Sequence, residues 1–406
     1  MLEQYKRIVM IGDGVTGRSV CRVFSEHGRD IDLVTTQDES DWIALSDMVY
    51  GSQIDLVVVS PGVCIHPFLE QFRASGIRVV TDIELFCELV DKPIIAVTGT
   101  NGKTTCVNWL GRVLQHFGQA AIVGNTGTPV FDIYDQLDQY DWVVIEVSSF
   151  QLYHSSSLNI KLGCILNLEA DHLDWHPDIE HYHLSKWRIA KHADKMLVHE
   201  SMSKVTNAHV FGFEVDHSVV EVSTQNNLWQ SISHVDQLNC LAVYKMAQLL
   251  GLDCDINLVL ENTPRLKHRM ERIQSKDDWV WFNDSKATNF AAVKSCLSAI
   301  NHAYPNHHVI WLVGGVFKEA VPKHLTSHAD SIIGFGRDGA LVTGNHYSKL
   351  ADLLDALYHM WLDNSERPTV VCFSPGGASF DQFKNYQERG DYFTEWVNKV
   401  VNSAYS

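Results

Sequence analysis

At 406 residues and 45% apolar content, the chain is long enough for two or three domains, each with its own core. Its 32 basic against 49 acidic residues give a formal charge of −17, which argues against nucleic acid as a general partner while leaving room for local Lys and Arg to hold an anionic small molecule. The nine cysteines are scattered and without CxxC spacing, so they read as reduced thiols of a cytoplasmic protein, and neither a signal peptide nor an apolar run of the ~20 residues needed to cross a bilayer is found.

Along the chain, short β-branched runs alternate with longer helical patterns, the signature of parallel sheets covered by helices. Three blocks separate. The first, 1–91, has strands predicted at 7–11, 31–35 and 54–59. The second, 92–264, opens at Lys92-Pro93 and has strands predicted at 94–97, 142–145 and 163–166. The third, 265–406, begins near Thr263-Pro264 and has strands predicted at 279–282, 309–313, 331–335 and 369–373. In such sheets ligands sit just past the carboxyl ends of strands, and the polar clusters fall there.

The first cluster is Gly12-Asp13-Gly14-Val15-Thr16-Gly17. Formally this is G-x-G-x-x-G, which raises a dinucleotide reading. That reading requires an acidic residue at the end of the second strand, where Thr35-Thr36-Gln37 stand instead. The sharpest signal follows in the second block: Val97-Thr98-Gly99-Thr100-Asn101-Gly102-Lys103-Thr104-Thr105, between a buried-type strand and a helix predicted over 106–116. Such a turn aims backbone N–H groups at a phosphate, Lys103 reaches the terminal phosphates, and the Thr104 hydroxyl can ligate Mg²⁺. The common P-loop pattern needs Gly five places before Gly102, and Val97 occupies that place.

Glu146 closes the next strand, in Ile145-Glu146-Val147-Ser148-Ser149-Phe150-Gln151-Leu152. Alone it would be a solvated strand-end residue; beside a phosphate loop it is a natural Mg²⁺ ligand. His172 sits between two carboxylates in Glu169-Ala170-Asp171-His172-Leu173-Asp174, and Lys186, read bare, is a surface lysine on a helix. The third block carries Lys267-His268-Arg269, then Asn283-Asp284-Ser285-Lys286-Ala287-Thr288-Asn289, the looser Gly314-Gly315-Val316-Phe317-Lys318, and Ser374-Pro375-Gly376-Gly377-Ala378-Ser379-Phe380-Asp381-Gln382-Phe383-Lys384-Asn385-Tyr386-Gln387-Glu388-Arg389-Gly390.

Taken in order from residue 7 to about 393, these strings resemble the Mur ligases, with T-G-T-N-G-K-T-T also similar to folylpolyglutamate synthases. E-x-S-S-F-Q-L, N-D-S-K-A-T-N and S-x-D-Q-F-K-N resemble the D-glutamate-adding branch. The diaminopimelate-adding branch carries D-N-P-R in its last domain, whereas the nearest string here is Asp363-Asn364-Ser365-Glu366.

The resemblance implies three α/β domains: a Rossmann-like N-terminal domain for a uridine nucleotide, a P-loop-type central ATPase, and a Rossmann-like C-terminal domain for the amino acid. It implies ligation of UDP-N-acetylmuramoyl-L-alanine to D-glutamate through an acyl phosphate, with ATP and two Mg²⁺ ions, by a cytoplasmic monomer without membrane insertion. By the same resemblance, Gly14, Val15, Thr16, Thr35, Thr36, Ser60, Gly62 and Asn125 meet the nucleotide substrate. ATP meets the loop from Gly99 to Thr105 together with Asn239, Arg269 and Asp284. D-glutamate meets His268, Lys286, Thr288, Lys318, Ser379, Phe380 and Tyr386. Thr104, Glu146, His172 and a carbamylated Lys186 serve Mg²⁺. A related ligase of another branch, or a nucleotide-binding regulator without catalysis, is the rival reading. The regulator would need no Glu146, His172 and Lys286 around a phosphate loop.

Overall fold

The structure is a computed structural model that describes residues 5–400, apart from 53, 64, 174, 205–207, 227, 230, 231, 233, 264–266, 274–278 and 364–366. Asp174, the Pro264 boundary and the Asn364-Ser365-Glu366 string therefore lie outside the described residues. Two compact units are present: Met1–Leu168 with Glu180–Thr263, and Glu169–Ile179 with Pro264–Ser406.

The first unit holds two sheets. One is four-stranded, in the order β2-β1-β3-β4, from β1 (Arg7–Ile11), β2 (Asp30–Val34), β3 (Leu56–Val59) and β4 (Arg78–Thr81). All its pairings are parallel. The apolar runs of β1 and β3 are continuous because both faces are covered. Ile8, Met10, Leu56 and Val58 face one way and pack with Val20, Val23 and Phe24. Val9, Ile11, Val57 and Val59 face the other way and pack with Trp42, Leu45, Leu69 and Phe72.

The other sheet of this unit is six-stranded and parallel, in the order β10-β9-β8-β5-β7-β6. Its strands are β5 (Ile94–Thr98), β6 (Ala120–Gly124), β7 (Trp142–Glu146), β8 (Ile160–Ile165), β9 (Ala193–His199) and β10 (His209–Phe211). Here too the strand alternates: Ile94 and Ala96 join one core, Ile95 and Val97 the other. Each such fully buried aliphatic side chain stabilises the fold by ~1.5–3 kcal/mol. An aspartate at Val97, 0% exposed, would instead bury an unpaired charge at the root of the phosphate loop.

The second unit has a six-stranded sheet in the order β11-β12-β16-β13-β14-β15. The strands are β11 (Glu271–Ile273), β12 (Trp279–Asn283), β13 (His308–Gly314), β14 (Ser331–Phe335), β15 (His346–Tyr347) and β16 (Thr369–Gly376). Only β11 runs antiparallel, at the edge against β12. Trp281 enters one core, and Val280 and Phe282 enter the other.

Among the described residues, no helix is long and apolar enough to cross a membrane.

Candidate active site

The phosphate loop joins β5 to the helix Lys103–Leu114. Gly102 is the residue before that helix, with φ 83°, and no side chain caps the helix start. Its first N–H groups are thus offered to an anion rather than to a capping side chain. The helix begins at Lys103, three residues ahead of the predicted Cys106, so Lys103, Thr104 and Thr105 form its first turn. Lys103 Nζ donates to the carbonyls of Gly99 and Thr100, both at 2.8 Å, folding the side chain back over the loop. Asn167 braces the loop from beyond β8. Its carbonyl accepts from the Thr100 N–H at 3.1 Å and its side chain pairs with the Asn101 backbone at 2.8 and 3.1 Å. Asn239, on the helix His234–Leu249, is 5% exposed and lies where a Cβ at Gly102 would come within 2.6 Å of its Oδ1.

Glu146 ends β7, the strand beside β5, and is 2% exposed. Its Oε1 accepts from Asn125 Nδ2 at 3.0 Å and from Thr126 Oγ1 at 2.8 Å. The Asn125 N–H bonds the Glu146 carbonyl at 2.9 Å, so the loop after β6 is laid along the end of β7. Gly124, with φ 117°, makes that approach possible, because a Cβ there would fall 2.3 Å from the Glu146 carbonyl oxygen. Lys186, on the helix Ile179–Trp187, is 1% exposed, with Nζ 4.6 Å from the Tyr182 ring centroid. Tyr182 in turn donates to Thr100 Oγ1 at 3.3 Å.

In the four-stranded sheet, β1, β2 and β3 run parallel, so the segments after them meet at one edge. The chain leaves β1 with the Gly12 N–H bonded to the Val34 carbonyl, while the Ser60 N–H bonds the Ile11 carbonyl. This brings the segments carrying Gly14, Val15, Thr16, Thr35, Thr36, Ser60 and Gly62 to the carboxyl end of the sheet, where the strand order reverses about β1. The helix Val15–Glu26 starts there without a side-chain cap, and Val15 is 72% exposed.

In the second unit, Asp284, Lys286 and Thr288 follow β12, Lys318 follows β13, and Ser379 and Phe380 follow β16. Asp284 is buried, accepting from Ser374 Oγ at 2.9 Å and from the Met270 N–H at 3.2 Å; burial raises its pKa to about 6. Lys286 Nζ stands 4.1 Å from the Tyr386 ring centroid. Ser379 is 2% exposed and Phe380 is 75% exposed. His268, with φ 62°, is 5% exposed. Asn283 Nδ2 lies 3.1 Å from its Nδ1, and its Nε2 is 3.5 Å from Asp391 Oδ1. Desolvation holds the His268 pKa below its usual value. Lys318 Nζ pairs with Asp171 Oδ1 at 3.8 Å, and Asn289 donates to Asp171 Oδ2 at 2.9 Å. Asp171 and His172 thus belong to the second unit, whereas the ATP loop belongs to the first.

Residues 97–257 match the Mur ligase middle domain. A UDP-N-acetylmuramoylalanine--D-glutamate ligase of Pseudothermotoga lettingae is 32% identical over 96% of this chain and 97% of its own. The chain belongs to the Mur ligase family. The Haemophilus ducreyi relative of the same name is 31% identical over 99% of this chain and 100% of its own. The MurF ligase of Thermotoga maritima, solved in complex with ADP, shares the fold of this Mur ligase at a TM-score of 0.61, with 12% identity over 100% of this chain and 97% of that one.

One reading of this family member from its letters needs correction. Lys186 is buried, so the bare reading of it as a surface lysine fails; its spacing of four from Tyr182 on one helix face was the available signal. Sequence reasoning quoted Arg389, Asn283 and Asn289 within its strings without giving them a role, and gave none to Asn167. These are polar residues whose donors and acceptors are spent on other loops, and such bonds leave no periodic trace. The three non-glycine residues with positive φ among those described are His172, His268 and Met270, all in or beside strings singled out for chemistry. Held backbone strain of this kind gathers at functional loops.

Proposed function

We propose that this chain ligates D-glutamate to UDP-N-acetylmuramoyl-L-alanine with hydrolysis of ATP; the names of its relatives state the two substrates joined, and the phosphate loop supports ATP as the driving nucleotide. The observation that carries the reading is the full-length relationship to D-glutamate ligases. The reaction fits the chemistry of the strand ends. A carboxylate is a poor electrophile because its charge is delocalised. Attack of the nucleotide's carboxylate on the γ-phosphorus of ATP gives an acyl phosphate and ADP. The D-glutamate amine then attacks the activated carbonyl and phosphate leaves.

In this reading block 1–91 holds the uridine nucleotide, 92–264 holds ATP and 265–406 holds the amino acid. Lys103 and the uncapped helix start neutralise phosphate charge, and Asn239 meets adenine. Within the first unit, the buried carboxylate of Glu146, the Thr104 hydroxyl and the buried Lys186, which as a carbamate would present a pair of carboxylate-like oxygens, are the groups this reading assigns to a divalent cation, with the His172 imidazole assigned by the family resemblance alone. Two Mg²⁺ ions held there would draw charge from the phosphates and ease attack on the γ-phosphorus. Lys286, Thr288, Ser379 and Lys318 supply donors to the two D-glutamate carboxylates, with His268, Phe380 and Tyr386 around them and Arg269 and Asp284 toward ATP. The protein acts as a cytoplasmic monomer.

The test is ADP release with UDP-N-acetylmuramoyl-L-alanine present while the amino acid is varied. D-glutamate alone should trigger turnover. A response to diaminopimelate or L-alanine, or ATP binding without turnover for any amino acid, would remove this reading.

A further inference from the structure

Arg389 lies on the helix Tyr386–Val400, and its side chain is 0% exposed. Its guanidinium is spent on two separate loops. Nε donates to Ser285 Oγ at 3.0 Å and Nη2 to the Ser285 carbonyl at 2.8 Å. Nη1 donates to the Gly377 carbonyl at 3.0 Å. Ser285 stands between Asp284 and Lys286, and Gly377 is two places before Ser379. One side chain therefore joins the loop after β12 to the loop after β16. The fit is close: a Cβ on Gly315, the residue after β13, would come 3.0 Å from Nη1.

All three acceptors are neutral. Among the described residues no carboxylate forms an ion pair with Arg389, and the acidic group that acts on it through space is Asp381. Burial without a paired anion lowers its pKa to about 9, so it remains a cation at neutral pH. A buried charge of this kind costs folding free energy. Tying two loops together does not by itself require a charge, since a neutral amide can also donate to carbonyls. What the guanidinium adds is a fixed positive potential in a low-dielectric setting, directly beneath the loops that carry Lys286, Thr288 and Ser379.

We propose that Arg389 is a positioning and specificity-determining residue. It holds the 284–289 and 377–380 loops in register, and its buried charge favours an incoming amino acid with two carboxylates over one with a neutral side chain. The inference rests on the D-glutamate reading above and names what selects that substrate.

The test uses the full-length protein and compares D-glutamate with D-glutamine, its neutral isostere. Wild type is assayed first. Absence of D-glutamate-dependent ADP release would overturn the function itself, before any variant is made. Arg389→Gln should raise the KM for D-glutamate roughly tenfold or more, leave the KM for ATP within about twofold, and narrow the preference for D-glutamate over D-glutamine. Arg389→Lys keeps the charge but loses the fork, so it should keep the preference while kcat falls. Equal loss with both substrates in both variants, or an unchanged preference in Arg389→Gln, overturns the proposal. Asp381→Asn provides an arm that does not disturb the buried bonds. Removing that negative charge should lower the KM for D-glutamate by about two- to threefold; an unchanged or higher KM counts against the proposal even if the Arg389 variants fail to fold.

Discussion

Lys186 is 1% exposed, with its Nζ 4.6 Å from the Tyr182 ring centroid, and the proposed function has it carry a carbamate. A neutral amine can add CO₂, giving a carbamate that acts as a long carboxylate. Lys186→Ala should lower turnover at least ~10²-fold and be partly rescued by a short carboxylic acid that fills the gap. Carbon-13 NMR after equilibration with labelled bicarbonate should show a carbamyl signal in wild type that the variant lacks. An active Lys186→Ala, or active wild type without that signal, returns the residue to a packing role. Asp82 is buried from the other direction. It opens the helix Asp82–Leu89, is 2% exposed, and burial raises its pKa from 3.8 to about 7. Between those two values the unfolded chain has lost the proton while the folded chain keeps it. Stability is thus greatest below the ordinary aspartate pKa, falls as pH rises through this window, and carries a constant penalty above about 7. Asp82→Asn removes the penalty. Its melting temperature relative to wild type should climb by several °C between about pH 4 and about pH 8. A difference that stays flat with pH would show that Asp82 is not held neutral.

At the scale of elements, the phosphate helix depends on one backbone conformation. Gly102 has φ 83°, and a Cβ there would press on Asn239 Oδ1 at 2.6 Å. Gly102→Ala adds left-handed strain and displaces the side chain assigned to adenine. ATP affinity should weaken by roughly tenfold or more while circular dichroism stays that of wild type. Unchanged affinity would mean that the loop re-forms around the methyl group. The strands that framed this loop were legible because both faces are buried, which turns β1, β3, β5, β12, β13 and β16 into unbroken apolar runs. The ones that escaped notice have weaker signatures. β4 (Arg78–Thr81) is only a few residues long, and β6 (Ala120–Gly124) is built largely from Ala and Gly. β9 (Ala193–His199) mixes Asp, Lys and His with its apolar residues, while β10, β11 and β15 are very short edge strands. The candidate site was legible wherever a string sits past a strand end. It was not legible where a side chain such as Arg389 or Asp171 works through loops distant in sequence, because such contacts have no spacing to read.

For the whole molecule, the order of the sequence and the grouping of contacts part company at one segment. Glu169–Ile179 packs with the second unit, held by Asn289 and Lys318 on Asp171, although its neighbours on both sides belong to the first. The blocks of the sequence reading cut straight through this arrangement, since apolar periodicity reports strands and helices but not which unit a connecting loop joins. A fragment of residues 264–406 should therefore be less stable than the same unit in the intact chain. Adding a synthetic peptide of residues 169–179 in trans should protect its amides from hydrogen exchange around Asn289 and Lys318. Equal exchange with and without the peptide would show that the segment is a passenger. The same feature bears on how the protein is made. As the ribosome extends the chain, residues 169–179 emerge with the first unit and must wait, unpacked, until β12, β13 and the loops after them have followed. Domain-by-domain folding during synthesis is thus interrupted by a stretch whose partners do not yet exist. That interval is when a chaperone or a protease would find this chain most exposed.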